Sequence, residues 1–271
     1  MHHIFINENE IDLLTNEITI DSSSENYKHL VKSLRIEKDE NVLCSIYPFI
    51  HSFDYRARVF FIDNNLLKLS IEEKTIANEL PVNINLYQGI SKSDKFEFII
   101  EKSVELGVHS ITPLSTEYCV AKIEEKKSEK KIDRYNKISK SAAEQSKRHI
   151  IPRVYEPIDY KMMIKNISTK HCDENGNTIE TYNILFYENA AGLVDTKRVI
   201  NNILKNQNNN KDNKIEINVI IGPEGGFSEN EIMFAKNANI DILSLGDRIL
   251  RTETAAVTAL SILMYEFNAI I

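Results

Sequence analysis

The chain has no tryptophan, only three cysteines and no apolar run of bilayer length, and each shortage narrows its class before any motif is read. A membrane span needs about eighteen or more consecutive apolar residues, and none occurs. The opening MHHIFINENEID is polar and lacks the cationic start of a secretory signal, so the cytoplasm is the expected location. Cys44, Cys119 and Cys172 are odd in number, far apart and without a Cys-x-x-Cys pair, which argues against a disulfide framework and against a zinc site. The seven histidines show no His-x-x-x-His or Glu-x-x-His spacing, and His2-His3 reads as incidental. No metal is expected.

With 271 residues and 42% hydrophobic content, the chain can bury a sizeable core and reads as two domains. Its formal net charge of -7 speaks at first against a polyanionic partner. The average hides an asymmetry. Residues 121–153 hold 11 basic and 5 acidic side chains, a surplus of six in an acidic protein. The first part, KIEEKKSEKK, reads as a solvated helix face with Glu/Lys pairs. In KISKSAAEQSKRHIIPR the small residues Ser141, Ala142, Ala143 and Ser146 sit among Lys140, Lys147, Arg148 and Arg153, a pattern that lets a helix approach nucleic acid closely while presenting cations.

The chain divides near residue 72. Before it, NVLCSIYPF, HSFDYRARVFFID and LLKLSIEEKT are short β-rich runs, alternating in part, with turn signals at Pro48, His51-Ser52 and Asp63-Asn64-Asn65. They predict a small antiparallel barrel over 1–72. One helix, SSENYKHLVKSLRI, interrupts it, with a cap at Ser23 or Ser24 and a buried stripe of Tyr27, Leu30, Val31 and Leu34. Arg35 lies on its polar side, within reach of phosphate or simply solvated.

From 73 to 271, apolar strands alternate with amphipathic helices, which predicts an α/β domain with a parallel sheet covered by helices. Gly107 stands where the helix from Asp94 stops. ILKNQNNNKDNK, 203–214, reads as a polar loop. Strand Ile215 to Ile221 runs into Gly222-Pro223-Glu224-Gly225-Gly226, and Ser228 with Glu231 caps a helix over 229–238. Parallel sheets take ligands beyond their carboxyl ends, where glycines expose bare backbone. The Gly-x-x-Gly-Gly spacing is not a familiar nucleotide motif, so this turn alone reads as a structural β-to-α turn before it reads as a ligand site. One βα unit later, DILSLG leads into GDRILRTETAAVTAL, where Arg251, Thr252, Glu253 and Thr254 crowd a helix start behind the apolar Ile249 and Leu250. Adjacent parallel strands are expected to bring the two loops together as a pocket for a nucleoside-like ligand.

These stretches, with KSDKFEFIIEKSVELGV and AAEQSKR upstream, resemble the ribosomal RNA small subunit methyltransferase E family of SPOUT methyltransferases, over most of the chain. The resemblance implies a trefoil-knotted C-terminal domain and an N-terminal PUA-like β-barrel. It implies a homodimer and S-adenosylmethionine-dependent methylation of N3 of one uridine in 16S ribosomal RNA of the small ribosomal subunit. It also implies that Phe186, Gly222, Glu224, Gly226, Leu245, Gly246, Ile249, Leu250, Thr252 and Thr254 enclose the cofactor. Arg251 is the candidate for stabilising charge on the uracil oxygens, and Glu253 and Glu144 are candidate bases, either of them equally a partner for a nearby arginine. Arg35, Lys147 and Arg148 are the candidate RNA contacts. The chain departs from the family at Met1-His2-His3-Ile4, where relatives often carry an arginine, and at Lys147, where they tend to have a small residue. Two rival readings are a SPOUT enzyme acting on a transfer RNA ribose 2′-hydroxyl and a non-enzymatic RNA-binding module. The methylated nucleoside and cofactor calorimetry discriminate them.

Overall fold

The computed structural model describes residues 1–48, 53–77, 79–121, 125–169, 179–190, 192–209 and 214–268. Cys172 and the His51-Ser52 turn lie outside the described residues. The chain packs into two compact units: Met1–Glu79 with Ala143–Ile151, and Leu80–Ala142 with Pro152–Ile271. The first extends past residue 72 because its last strand continues to Ile76.

The N-terminal unit is a six-stranded sheet in the order β1 (His2–Ile6), β4 (Asn41–Ile46), β5 (Phe53–Ile62), β6 (Leu66–Ile76), β3 (Glu17–Asp21), β2 (Ile11–Asp12). It differs from the expected antiparallel barrel in two respects. β1 pairs with β4 in parallel, and no ladder joins the edges β1 and β2 among the described residues. The alternation expected on β5, with Tyr55, Ala57, Val59 and Phe61 on one face, holds as far as Val59, Arg56 and Arg58 facing out to Glu73 and Glu72; a register shift after Val59 leaves Phe61 43% exposed. Ser24 caps α1 (Glu25–Tyr27), which continues as a π-helical stretch, Lys28–Ser33. That wider winding corrects the predicted stripe: Tyr27 and Leu30 are buried, but Leu34 is 38% exposed, and Ile36 enters the core in its place.

A second buried feature of this unit is ionisable. His3 Nε2 lies 2.8 Å from Ser45 Oγ, Ser45 donates to Asp54 Oδ1, and His149 Nδ1 lies 2.7 Å from the same carboxylate oxygen. All four residues are buried. Burial holds the His3 imidazole below its ordinary value of 6.5, outweighing the attraction of Asp54, with His149 lowering it further. Burial also pushes the Cys44 thiol upward, so that this cysteine is a core side chain and not a nucleophile.

The C-terminal unit is a seven-stranded parallel sheet in the order β10 (Ile158–Asp159), β8 (Ser110–Ser115), β7 (Asn83–Gly89), β12 (Ile215–Ile221), β11 (Glu180–Phe186), β13 (Asp241–Leu243), with β9 (Arg153–Val154) also on β8. Its helices are α2 (Ser93–Glu105), α3 (Glu125–Ser146), α4 (Tyr160–Ile167), α5 (Leu193–Asn209), α6 (Glu229–Asn237) and α7 (Thr252–Asn268). Near-continuous apolar strands such as IEINVII fit a sheet covered on both faces. The expected loop over 203–214 is helical to Asn209, because Ile200 and Ile203 carry a buried stripe that outweighs the polar composition. Gly107 ends the turn after α2 at φ +90°.

One polar row crosses this sheet. Ser110, Asn85, Asn218 and Asn183 stand opposite one another in register on β8, β7, β12 and β11. Ser110 donates to Asn85 at 2.7 Å, Asn85 to Asn218 at 3.1 Å, Asn218 to Asn183 at 2.7 Å, and Asn183 to the Ile167 carbonyl at 3.0 Å. A side-chain amide both donates and accepts, so one residue type repeats along the row without leaving a buried group unpaired.

Candidate active site

The carboxyl ends of β11, β12 and β13 open on a cleft of about 310 Å³ within the C-terminal unit. Strand order corrects one expectation. The two glycine-containing loops do not follow adjacent strands, because β11 lies between β12 and β13. The chain leaves β13 at the sheet edge and returns to start α7 beside β12, so the Leu245–Arg251 segment spans the gap. Thr252 Oγ1 donates to the Gly222 carbonyl at 2.6 Å and accepts from Gln88 Nε2 at 2.8 Å. These bonds fix the start of α7 to the ends of β12 and β7.

The first loop is rigid for reasons visible in its glycines. Gly226 has φ +70° and closes a turn by donating its N–H to the Pro223 carbonyl at 3.0 Å. A Cβ on Gly89 would lie 2.2 Å from the Pro223 nitrogen, so the end of β7 and this loop approach backbone to backbone. Behind the loop, Ser228 caps α6 and Glu231 returns the bond to the Ser228 N–H, completing the predicted capping box. The second loop is less covered. Gly246 turns it at φ +117°, Ile249 is 86% exposed, and Arg248 and Arg251 are exposed.

Of the residues singled out from the sequence, Phe186, Gly222, Glu224, Gly226, Leu245, Gly246, Ile249, Leu250, Arg251 and Thr252 line the cleft. Thr254 does not: it is exposed, two residues beyond Thr252 and turned away by the helical period. Glu253 does not line the cleft either, and its Oε2 lies 3.7 Å from Lys95 Nζ. Glu144 belongs with the N-terminal unit.

The expected RNA contacts divide. Arg35 and Lys147 are exposed, both with left-handed backbone, at φ 55° and 58°. Arg148 is instead buried in the N-terminal unit with its side chain 7% exposed, its guanidinium on the Glu79 carboxylate at 3.1 and 3.3 Å through Nε. Glu79 also accepts from the Ile150 N–H at 3.2 Å, so this arginine is a structural tie and not a phosphate contact. A cation in a basic stretch faces inward when a half-buried carboxylate waits for it, which local sequence does not reveal.

Sequence reasoning missed Lys95, Tyr187, Glu188 and Arg248, which also line the cleft. Tyr187 and Glu188 directly follow Phe186 at a strand's carboxyl end, a position that itself signals ligand contact. Lys95 comes from α2 and carries no such signal. Among the described residues, no group of three His, Cys, Asp or Glu side chains can hold a metal ion, and no helix is long and apolar enough to cross a membrane.

Comparison with known proteins gives this geometry a family. The RNA methyltransferase domain matches residues 78–264. The chain is 34% identical over 267 residues to the ribosomal RNA small subunit methyltransferase E of Mesomycoplasma hyopneumoniae, covering 96% of this chain and 98% of that one. It is 29% identical to the protein of that name from Bacillus subtilis, covering 92% and 90%. The crystal structure of the Neisseria gonorrhoeae ribosomal RNA small subunit methyltransferase E bound to S-adenosyl methionine superimposes with a TM-score of 0.74 at 26% identity, covering 98% and 97%. With a parallel sheet, a cleft at its carboxyl edge and likeness along nearly the whole chain, the protein belongs to the ribosomal RNA small subunit methyltransferase E family.

Proposed function

We propose that this chain methylates N3 of a uridine in 16S ribosomal RNA, with S-adenosylmethionine as the methyl donor. The observation that carries the reading is the cleft itself: one rigid glycine loop and one open loop bearing Ile249 and Arg251 face each other across β11. The residues present fit such a cofactor. Gly222, Gly226 and Gly246 line the cleft without side chains, Phe186, Leu245, Ile249 and Leu250 supply apolar walls, and Glu188 supplies a carboxylate suited to a cationic group. When bound, the cofactor supplies an electrophilic methyl group on a cationic sulfur. Thr252 acts indirectly, its hydroxyl holding the Gly222 carbonyl in place.

Arg251 takes the chemical role. N3 of uracil must lose its proton, which passes to solvent, and the charge that develops spreads to the ring oxygens. A guanidinium stays charged at any working pH and is exposed here at the cleft, with no ion pair among the described residues. Lys147 and Arg35 serve as RNA contacts from the N-terminal unit, whose mixed sheet we read as a PUA-like fold. The return of the chain from β13 across β11 to Gly222 supports a SPOUT trefoil path. We read the protein as acting in the cytoplasm, and as a homodimer, for which the support is α7, which leaves Val257 and Ser261 half-covered and Tyr265 exposed along one face.

Incubating the protein with labelled S-adenosylmethionine and small subunits that lack the modification should yield 3-methyluridine by mass spectrometry. A methyl group on a ribose or another base overturns the assignment. Arg251→Ala should lower the rate at saturating RNA by on the order of a hundredfold while leaving RNA affinity and its salt dependence unchanged.

A further inference from the structure

A cation that no motif announced sorts the charges at one end of the cleft. Lys95, in the first turn of α2, places Nζ 3.5 Å from Glu224 Oε1 and 3.7 Å from Glu253 Oε2. The two carboxylates come from different segments, Glu224 from the loop after β12 and Glu253 from the first turn of α7. All three side chains are largely covered, at 29%, 25% and 18% exposure for Lys95, Glu224 and Glu253. Glu253 Oε2 is sealed from solvent and accepts no hydrogen bond, so the ammonium is the group that offsets its charge. Glu224 Oε1 also faces the Lys92 N–H at 3.5 Å, at the cap of α2. Arg251, two residues before Glu253, lines the same cleft and holds neither carboxylate. Lys95 therefore takes both acids and Arg251 takes none.

We infer that Lys95 is a positioning residue for methyl transfer: by holding Glu224 and Glu253 it keeps both away from Arg251 and leaves that guanidinium available to the base. The inference rests on the role proposed above for Arg251. Its physical basis is that a covered carboxylate without a counter-ion recruits whatever cation can reach it, and Arg251 stands at the same helix end. It also gives Glu253 a structural duty in place of that of a base.

The test compares Lys95→Met, Lys95→Arg, Glu253→Gln and the double variant Lys95→Met/Glu253→Gln. Lys95→Met should lower kcat by about tenfold to a hundredfold, with KM for RNA changed by less than about threefold, and Lys95→Arg should retain most of the rate. Adding Glu253→Gln to Lys95→Met should recover at least about fivefold, because the more enclosed of the two stranded carboxylates, at 18% exposure against 25%, is then neutral. A second readout is independent of turnover: the Nε resonance of Arg251, assigned by its disappearance in Arg251→Ala, should move in Lys95→Met and return in the double variant. An unmoved resonance, a wild-type kcat in Lys95→Met, or a double variant no faster than Lys95→Met overturns the inference. So does a loss in Glu253→Gln alone as large as that in Arg251→Ala. Should Lys95→Met fail to fold while the double variant folds, the stranded carboxylate is the cause and the pairing stands. If neither folds, Lys95 is merely structural. Full activity in Arg251→Ala, by contrast, removes the proposed role of Arg251 while the resonance still judges Lys95.

Discussion

The two sheets carry their buried polar rows by opposite means. In the N-terminal unit the buried row is ionisable, running His3, Ser45, Asp54 and His149, with Arg148 on Glu79 in the same unit. In the C-terminal unit it is neutral, running Ser110, Asn85, Asn218 and Asn183. The neutral row carries no charge out of water, so each strand joins it at little desolvation cost. The ionisable row costs more to bury and in return ties a segment distant in sequence, Ala143–Ile151, to the first sheet. Lys147 is presented from that tied segment. The comparison teaches that the catalytic sheet is specified by register, whereas the N-terminal unit is held by charge.

The largest expected effect breaks the neutral row. Asn218→Leu removes its middle member and leaves the Asn85 amide and the Asn183 carbonyl without partners, which should cost about 2–4 kcal/mol in denaturant unfolding. A loss below 1 kcal/mol would show that water replaces the row and that the contrast between the units is superficial.

Next in size is the charged tie. Arg148→Met strands the Glu79 carboxylate, and because that side chain is 21% exposed the cost should be about 2–3 kcal/mol, less than for a fully enclosed pair. Cofactor binding, measured by calorimetry below the unfolding transition, should stay within about twofold, since the mutated group belongs to the other unit.

The smallest effect sharpens the comparison through pH. The folded His3 imidazole sits below its ordinary value of 6.5, so the unfolded chain binds more protons in this range. Its contribution to stability is therefore fully present above pH 6.5 and is lost as pH falls below that value. Hydrogen exchange, corrected for intrinsic rates, should show protection on β4 and β5 falling between pH 7.5 and 5.5 while β7 and β12, which carry the amide row, hold theirs. Equal losses in both sheets would mean that His3 does not govern the response.

Much of this was legible in the sequence where the determinants are local. The strand Ile215–Ile221, the capped helix behind Ser228 and the left-handed stop at Gly107 each follow from a few neighbouring residues, and each stands where it was expected. What could not be read was set by partners far along the chain. β1 is only five residues long, and nothing within it says that it pairs in parallel with β4. The insertion of β11 between β12 and β13 is a matter of strand order, which hydropathy does not encode. Arg148 looked like a phosphate contact because its neighbours are cationic, and the Glu79 that holds it lies 69 positions away. Lys95 was invisible for the same reason, being drawn in by carboxylates from two other segments.

The bond between Gln88 and Thr252 joins residues 164 positions apart. A contact of that span closes a long loop, and the entropic cost of closure falls due before the contact offsets it. The cleft exists only where that loop is closed, so an unfolded chain has nothing with which to grip a ligand. Whatever occupies this cleft draws the chain toward its folded state by mass action, the more so the further its concentration exceeds its dissociation constant.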